Sequence, residues 1–211
     1  MSEQCDWLHY SFNQLTRFGF PFDTNQIPED GIYVLFEQGE AAHGTDRIVR
    51  VGTHTGKGQL PSRLQQHFVK GNKDRSIFRK NVGRCLLNSD KDSFLEQWEI
   101  DLTTRDAKVK YQDLIDKTKT KKVECQVSEY IRQRFTFAVF PVEEKEHRLR
   151  LEQRIISTIS LCEDCFPSTG WLSLFSPKAK IKKSGLWLEQ GLWKEPLLTN
   201  DTQRLSDYLS P

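Results

Sequence analysis

The sequence predicts an α+β fold with a small mixed or antiparallel sheet flanked by helices. Three short runs rich in β-branched and aromatic residues have the length of strands, at 31–36, 47–52 and 135–140. Longer amphipathic stretches lie between and after them at helical spacing. Strands and helices do not alternate as regular βαβ units, which favours α+β over a parallel sheet. With 211 residues the chain is long enough for one domain with embellishments, or for one catalytic domain with a small appendage.

The first part of the chain predicts a helix, a loop and a hairpin. Residues 1–29 mix aromatic and polar side chains and end in a turn at Asp30-Gly31, which indicates a short helix and a loop packed on the core. The strands at 31–36 and 47–52 are separated by a polar segment that contains glycine. We therefore predict an antiparallel hairpin with a long loop at 37–46.

Alternation within the two hairpin strands divides their side chains between two faces. Tyr33 shares a face with Leu35, opposite Ile32, and in the second strand Arg50 shares a face with Ile48. The register does not follow from the sequence, but one pairing places the Tyr33 hydroxyl and the Arg50 guanidinium on the same side. A strand tyrosine is ordinarily a packing residue, so this pair alone does not define a site.

The rest of the chain contains helices and one further strand. The first helix begins near Leu60, where Pro61 fits the first turn. The predicted order is a helix to Phe68, a helix at about 76–87, a third element near 94–102, a polar surface excursion (103–122), a helix (123–134), a strand (135–140) ended by Pro141, a long helix (143–162), a basic loop (178–183) and a final helical turn in 201–211.

Composition and short motifs exclude several classes of protein. Charged residues make up 28% of the chain and its mean hydropathy is −0.63, and its apolar runs are too short to cross a bilayer. The N-terminus lacks a secretory pattern, so we expect a cytoplasmic protein without membrane contact. Nucleophile-elbow, phosphate-loop and dinucleotide-binding motifs are all missing from the sequence.

The five cysteines do not suggest a disulfide framework, because their number is odd and no secretion signal accompanies them. Cys162 and Cys165 have the two-residue spacing of half a zinc site. A second cysteine or histidine pair at the usual distance is missing from the sequence. Ordinary buried thiols are therefore the favoured interpretation, with zinc as the alternative.

Basic residues are concentrated in the segment 47–84, which carries ten of them and a single acid for a net charge of +9. A basic surface suits a polyanionic partner such as nucleic acid. A solvated helix face explains the same charges equally well.

Arg63 and His67 lie four residues apart on the first predicted helix and therefore share a face. Leu60, Leu64 and Phe68 lie beside them, which turns that face towards the interior or a cleft. An inward arginine is costly unless it meets an anion. Its planar fork suits a phosphate. The alternative is an arginine at the edge of the apolar stripe that pairs with a carboxylate.

Glu152 is an acid on the apolar face of the long helix at 143–162. It lies three residues after Leu149 and four before Ile156, although a polar face was available on the same helix. An inward carboxylate usually needs a cation or a metal. A buried ion pair with an arginine is the alternative.

In this order and spacing, these residues resemble the GIY-YIG nuclease superfamily. Gly31-Ile32-Tyr33 matches the first signature, Arg50-Val51-Gly52 stands where the second belongs, and Ser62-Arg63-Leu64 through His67 resembles the helix that follows. Glu152 matches the carboxylate on a later helix. The resemblance covers about 30–88 and 135–160. It divides the chain into an N-terminal extension packed on the core (1–29), a core with an insert at about 89–134 (30–165) and a C-terminal extension (166–211).

The resemblance implies a metal-dependent DNA endonuclease that uses a single metal. Tyr33 would orient or deprotonate the attacking water with help from His67, and Arg63 would bind the scissile phosphate. Glu152 would hold one divalent ion, Mg²⁺ or alternatively Mn²⁺, that stabilises the leaving oxygen. A free phenol keeps its proton at neutral pH, so nearby positive charge, such as that of Arg50, is needed if Tyr33 is the base. The predicted DNA contacts are Lys57, Arg79, Lys80, Lys180, Lys182 and Lys183.

Two departures from the family pattern leave other functions open. Arg50 replaces the tyrosine of the second signature, and the asparagine that often follows the glutamate helix is missing between Glu152 and Lys194. The alternatives to an active nuclease are a degenerate nucleic-acid-binding module of the same fold and a partner-binding protein whose charged runs are solvated faces. A single site cuts one strand, so cutting both would need a homodimer or two sequential events.

Overall fold

A three-stranded antiparallel sheet organises the computed structural model, which describes residues 2–111 and 113–209. The central strand β1 (Gly31–Ala42) pairs on one side with β2 (Thr45–Gly52) and on the other with β3 (Phe135–Pro141). The α+β class and the antiparallel hairpin predicted from the sequence are confirmed.

The predicted long hairpin loop is wrong. Strand β1 continues through 37–42, so the turn consists of His43 and Gly44, both at positive φ (53° and 69°). The polar segment belongs to the strand, and its two carboxylates have partners outside the segment. Glu37 accepts hydrogen bonds of 2.7 Å from the indole N–H groups of Trp171 and Trp187, and Glu40 pairs with Arg47.

A β-bulge in β2 changes which side chains share a face. Leu35 pairs with Arg50 but the next residue of β1 pairs with Ile48, so Val49 is an extra residue. Strict alternation had placed Arg50 with Ile48, and that prediction is wrong. The bulge puts Val49 in the same core cluster as Tyr33 and brings the Arg50 guanidinium to the Tyr33 hydroxyl.

Helices cover both faces of the sheet. Nine α-helices occur in the described residues: α1 (Ser2–Asn13), α2 (Leu60–Phe68), α3 (Ile77–Ser89), α4 (Leu95–Glu99), α5 (Arg105–Tyr111), α6 (Lys117–Arg134), α7 (Lys145–Ser160), α8 (Ala179–Ser184) and α9 (Thr199–Leu209). The face with Ile32 packs against α1, α7 and α9, and the face with Tyr33 packs against α2, α3 and α6.

Three segments are more helical than the sequence predicted. The polar excursion contains α5 and the first turns of α6, which begins where the Asp116 side chain accepts a hydrogen bond of 2.9 Å from the Lys119 amide. The basic loop is mainly α8, ended by Gly185 at a left-handed φ of 68°. The tail forms α9 rather than one turn, and the last two residues lie outside the described part. Among the described helices, none is both long and apolar enough to span a bilayer.

Candidate active site

A hollow of about 790 Å³ opens between the β1–β2 hairpin, the helices α2, α3 and α7, and the segment 180–194. Tyr33, Arg50, Arg63 and Glu152 all line it, although more than a hundred positions separate the first from the last. Four cationic side chains and two acids line the hollow. The ionisable groups that line the hollow are Arg50, Arg63, Lys180, Lys194, Glu152 and Glu189, together with Tyr33.

Tyr33 forms the floor of the hollow and is fully buried. Its hydroxyl oxygen is 2.8 Å from Nε2 of His67, and Nδ1 of His67 is 2.7 Å from the hydroxyl oxygen of Ser76. Ser76 is itself held in place as the N-cap of α3, where it accepts from the Arg79 amide. The phenol therefore begins a chain of three polar side chains that fixes its position.

Gly52 permits the position of the Tyr33 ring. The two residues are partners across β1 and β2, and a Cβ atom added to Gly52 would lie 2.2 Å from the Tyr33 hydroxyl oxygen. Any larger residue would displace the phenol. The glycine of the second tripeptide is thus explained by a close approach of side chain to backbone.

Arg50 is anchored beside the phenol by two hydrogen bonds. Its Nε donates to the Tyr33 hydroxyl oxygen at 3.3 Å, and its Nη1 donates to the Trp187 carbonyl. The Trp187 amide in turn donates to the carbonyl of Val49, the bulge residue, at 2.7 Å. The bulge and the segment around Trp187 together hold a positive charge against the Tyr33 oxygen.

His67 is a neutral imidazole in this environment. Burial lowers its pKa well below the usual value, and the positive charges of Arg63, Arg50 and Arg79 lower it further. A neutral ring carries one N–H, so one nitrogen donates while the other accepts. If Nδ1 donates to Ser76, Nε2 accepts the Tyr33 O–H and leaves the phenol oxygen's lone pairs for other donors.

Glu152 lines the wall of the hollow from the middle of α7, between Leu149 and Ile156. Burial raises its pKa to about 7, against the opposing effects of Arg50, the backbone N–H of Thr53 and Arg63. In the described part of the chain, it has no cationic side chain within ion-pair distance. The alternative of a buried ion pair between Glu152 and an arginine is therefore wrong.

Arg63 reaches the hollow from α2 and is half-buried. Its Nη1 donates to the Arg75 carbonyl and to the side-chain oxygen of Gln66, each at 3.2 Å. Neither partner is charged, and among residues 2–111 and 113–209 no carboxylate is within ion-pair distance. The guanidinium keeps a net charge that an anion in the hollow could neutralise.

Asn81 lines the same hollow and was missed by sequence reasoning. It is fully buried on α3, its Oδ1 accepts from Arg84, and its Nδ2 has no hydrogen-bond partner in the described part of the chain. A buried amide donor without a partner is costly. The sequence offers no signal for it, since an asparagine on a polar helix is unremarkable and the family position for this residue type lies after Glu152.

Two of the predicted DNA contacts are corrected by the structure. Arg79 is fully buried and donates to the Glu124 carboxylate at 2.7 Å and 3.1 Å, and Lys80 donates to the Glu99 carbonyl at 2.7 Å. Both cations stabilise the interior and are unavailable to DNA. Lys180, Lys182 and Lys183 are exposed, and Lys180 borders the hollow. Lys57 is exposed beside a separate depression lined by Glu143 and Arg148.

The side chains around Glu152 fit a hard divalent cation. The Glu152 carboxylate shares the hollow with Glu189 and with the amide side chains of Gln153 and Gln190. Oxygen ligands of this kind suit Mg²⁺ or Mn²⁺. Cysteine and histidine ligands, which would favour softer metals, do not line the hollow in the described residues.

Comparisons with known proteins identify the family. Neither a search of curated proteins nor a search of solved structures returned a match. A family model described as a GIY-YIG domain matches residues 8–197, which is most of the chain and includes segments at both ends that the sequence resemblance had left outside. The chain therefore belongs to the GIY-YIG domain family.

Proposed function

We propose that this protein is a metal-dependent DNA endonuclease whose cutting site is the hollow between the hairpin and α7. Membership of the GIY-YIG family implies a nuclease. One observation carries the specific proposal: Tyr33, Arg63 and Glu152 come from three distant segments and line one hollow, where neither charged group has an ion-pair partner in the described chain.

Tyr33 positions the attacking water. The phenol oxygen receives a hydrogen bond from Arg50 and contacts neutral His67, so its orientation is fixed before substrate binds. With Nδ1 of His67 donating to Ser76, Nε2 accepts the phenol O–H, and the phenol oxygen keeps a lone pair that accepts a hydrogen bond from the attacking water. Arg50 takes over electrostatic work at the position where the family has a second tyrosine.

Arg63 binds the scissile phosphate. As the water oxygen attacks phosphorus, the bond to the leaving 3′ oxygen breaks and charge grows on the non-bridging oxygens. A guanidinium directed at these oxygens stabilises the transition state more than the ground state. The unpartnered Nδ2 of Asn81 is a second donor in the same hollow, and we assign it the role left empty by the family's asparagine.

Glu152 would hold the divalent metal, and further oxygen donors that line the same hollow are Gln190 and Glu189, the latter 3.9 Å from the Arg84 guanidinium. When bound there, Mg²⁺ or Mn²⁺ supplies Lewis-acid stabilisation of negative charge on the leaving oxygen. The protein's own contribution is a carboxylate that is kept free of arginine partners and is partly shielded from water. Its low-dielectric setting strengthens every charge interaction in the site.

Exposed lysines beside the hollow contact the phosphates of the DNA backbone. Lys180, Lys182 and Lys183 lie on α8, and Lys194 borders the hollow from the following segment. Contacts of this kind carry little sequence information and make binding dependent on salt. Lys57 would contact DNA only where the duplex extends beyond the hollow. Double-strand cutting would still require two copies of the chain or two sequential events.

The test is nicking of supercoiled plasmid with Mg²⁺, with Mn²⁺ and with EDTA. We expect nicking by the wild-type chain that needs metal, and its loss in Tyr33→Phe and in Glu152→Gln. Tyr10→Phe and Glu163→Gln are matched controls at exposed positions and should keep full activity. Nicking that persists in Glu152→Gln would contradict the proposed metal ligand.

A degenerate nucleic-acid-binding module is the second candidate, and the complete burial of Tyr33 favours it, because water must reach the phenol for catalysis. DNA binding by gel shift without nicking in any metal would support that function. Absence of both binding and nicking would favour the partner-binding alternative.

A further inference from the structure

A cluster of thiols and imidazoles lies among residues that do not line the hollow. Cys5 and His9 come from α1, His43 from the hairpin turn, and Cys165 from the segment after α7. The possible ligand atoms of these four side chains all lie within 4.8 Å of one another. The structure thus brings together four potential metal ligands that are up to 160 positions apart in the sequence.

Distances in this Cys–His cluster match a tetrahedral zinc site. Zinc bonds of roughly 2.0–2.3 Å place neighbouring ligands about 3.3–3.8 Å apart. The Cys165 sulfur is 3.6 Å from Nε2 of His9, and the sulfur of Cys162, which adjoins the cluster, is 3.5 Å from Nε2 of His43. The first of these separations, between two members of the cluster, is that of ligands around a shared ion.

Both imidazoles are oriented as metal-binding histidines usually are. Such a histidine generally donates its second ring N–H to a carbonyl or a carboxylate, which directs the other nitrogen at the metal. Nδ1 of His9 is 2.8 Å from the Cys5 carbonyl oxygen, and Nδ1 of His43 is 3.6 Å from the Asp6 carboxylate. Nε2 of His9 faces the Cys165 sulfur and Nε2 of His43 faces the Cys162 sulfur, whereas the Cys5 sulfur is 3.6 Å from Nδ1 of His9.

We propose that Cys5, His9, His43 and Cys165 bind one structural zinc ion. Binding replaces the two thiol protons, which are released to solvent, and both histidines bind through Nε2. Zinc would also replace the Ile48 amide, which is now 3.2 Å from Nε2 of His9. Four protein ligands leave no open position for a substrate, so the ion is structural rather than catalytic.

The zinc would cross-link three segments that frame the fold. It joins α1 to the hairpin turn and to the residues that follow α7, the helix that carries Glu152. Cys162 is close to His43 but is not assigned as a ligand, because it lies outside the group whose ligand atoms are all mutually within 4.8 Å. The site could not be predicted from the sequence, because only Cys162 and Cys165 have the spacing of a zinc-binding pair.

The test is the metal content of the full chain, purified under reducing conditions from a zinc-supplemented culture. We expect one zinc per chain by elemental analysis. Exchange with Co²⁺ should give the intense visible absorption of a tetrahedral site together with a thiolate charge-transfer band. Cys165→Ser and His43→Gln should lose the metal, whereas Cys125→Ser, at an exposed cysteine, and Cys85→Ala, at a buried one outside the cluster, should keep it.

Several results would overturn the site. Wild-type protein that binds neither zinc nor cobalt would do so, as would a mass lower by two hydrogens that reveals a disulfide within the cluster. Neither result depends on a variant that folds poorly. Cys162→Ser should keep the zinc. If it loses the metal while His9→Gln keeps it, Cys162 is the ligand and the assignment of His9 is wrong.

Discussion

Arginines have different partners in two regions of the molecule. At the junction of α3 and α6, Arg79 is fully buried and donates to the Glu124 carboxylate, the Ser128 hydroxyl and the His67 carbonyl. At the hollow, Arg50 and Arg63 donate to neutral oxygens, and the described chain places no carboxylate in ion-pair contact with either. Where the fold supplies an anion, an arginine holds the structure together. Where it does not, the charge remains available for a ligand.

The largest expected effect is on stability, at the ion-paired Arg79. Arg79→Ala removes one partner of a buried ion pair and leaves Glu124 without compensation. Such losses cost about 3–5 kcal/mol. Urea unfolding should show a correspondingly lower free energy of unfolding. A loss below about 1 kcal/mol would mean that this pair contributes no more than a surface pair.

Arg63→Ala should produce the opposite pattern. Removal of a positioned donor to a transition-state oxyanion typically lowers the rate by about 10²–10³-fold. The free energy of unfolding should change by no more than about 0.5 kcal/mol, because no buried charge is left without its partner. Nicking rates measure the expected loss of activity, and urea unfolding of the same preparation measures the expected lack of change in stability. Equal destabilisation in Arg63→Ala and Arg79→Ala would remove the distinction between the two regions.

Glu152 offers a test by pH in the absence of metal. Burial raises its pKa from 4.5 to about 7, so the folded state holds a proton that the unfolded state has lost. Wild-type stability should therefore fall as pH rises from about 4.5 to 7, and the cost is fully present above pH 7. In EDTA, Glu152→Gln should be more stable than wild type at pH 8 by about 1–3 kcal/mol.

At pH 4 both forms carry a neutral side chain, so the two unfolding free energies should agree. Thermal or urea unfolding at the two pH values is the measurement. A stability difference that is the same at pH 4 and pH 8 would show that the Glu152 carboxylate is not the group responsible.

The smallest effect concerns the lysines. Lys180 is exposed at the hollow, whereas Lys80 donates to the Glu99 carbonyl inside the protein. A plot of the logarithm of the binding constant against the logarithm of the salt concentration has a negative slope. Lys180→Ala should make that slope less steep by about 0.9, the value for one phosphate contact. Lys80→Ala should leave the slope unchanged. Fluorescence anisotropy with a labelled duplex at several salt concentrations measures both, and identical slopes for wild type and Lys180→Ala would exclude that contact.

Local patterns in the sequence predicted the three strands, most of the helices and several site residues, but not the full length of β1, the bulge in β2 or the helices α5 and α8. Tyr33, Arg63 and Glu152 were predicted as site residues because each carries a polar group at a strand or helix position that the local periodicity predicts to be apolar. The structure brings these three residues to one hollow. Their chemical roles remain proposals, since what periodicity detects is burial and not reactivity.

Long-range partners account for what the sequence could not predict. The hairpin strand was taken for a loop because the partners of Glu37 lie at Trp171 and Trp187. The net charge of +9 over 47–84 does not form one basic surface, because four of its cations pair with carboxylates. Those pairs are Arg47 with Glu40, Lys73 with Asp74, Arg79 with Glu124 and Arg84 with Glu99.

The most direct measurement is a crystal structure of Tyr33→Phe with Mn²⁺ and a DNA duplex, using the anomalous signal of manganese. We expect a single Mn²⁺ bound to the Glu152 carboxylate, with a backbone phosphate between the metal and Arg63. A phosphate bound elsewhere, or a hollow that takes up neither Mn²⁺ nor DNA at concentrations that saturate binding in solution, would contradict the assignment of the hollow as the cutting site.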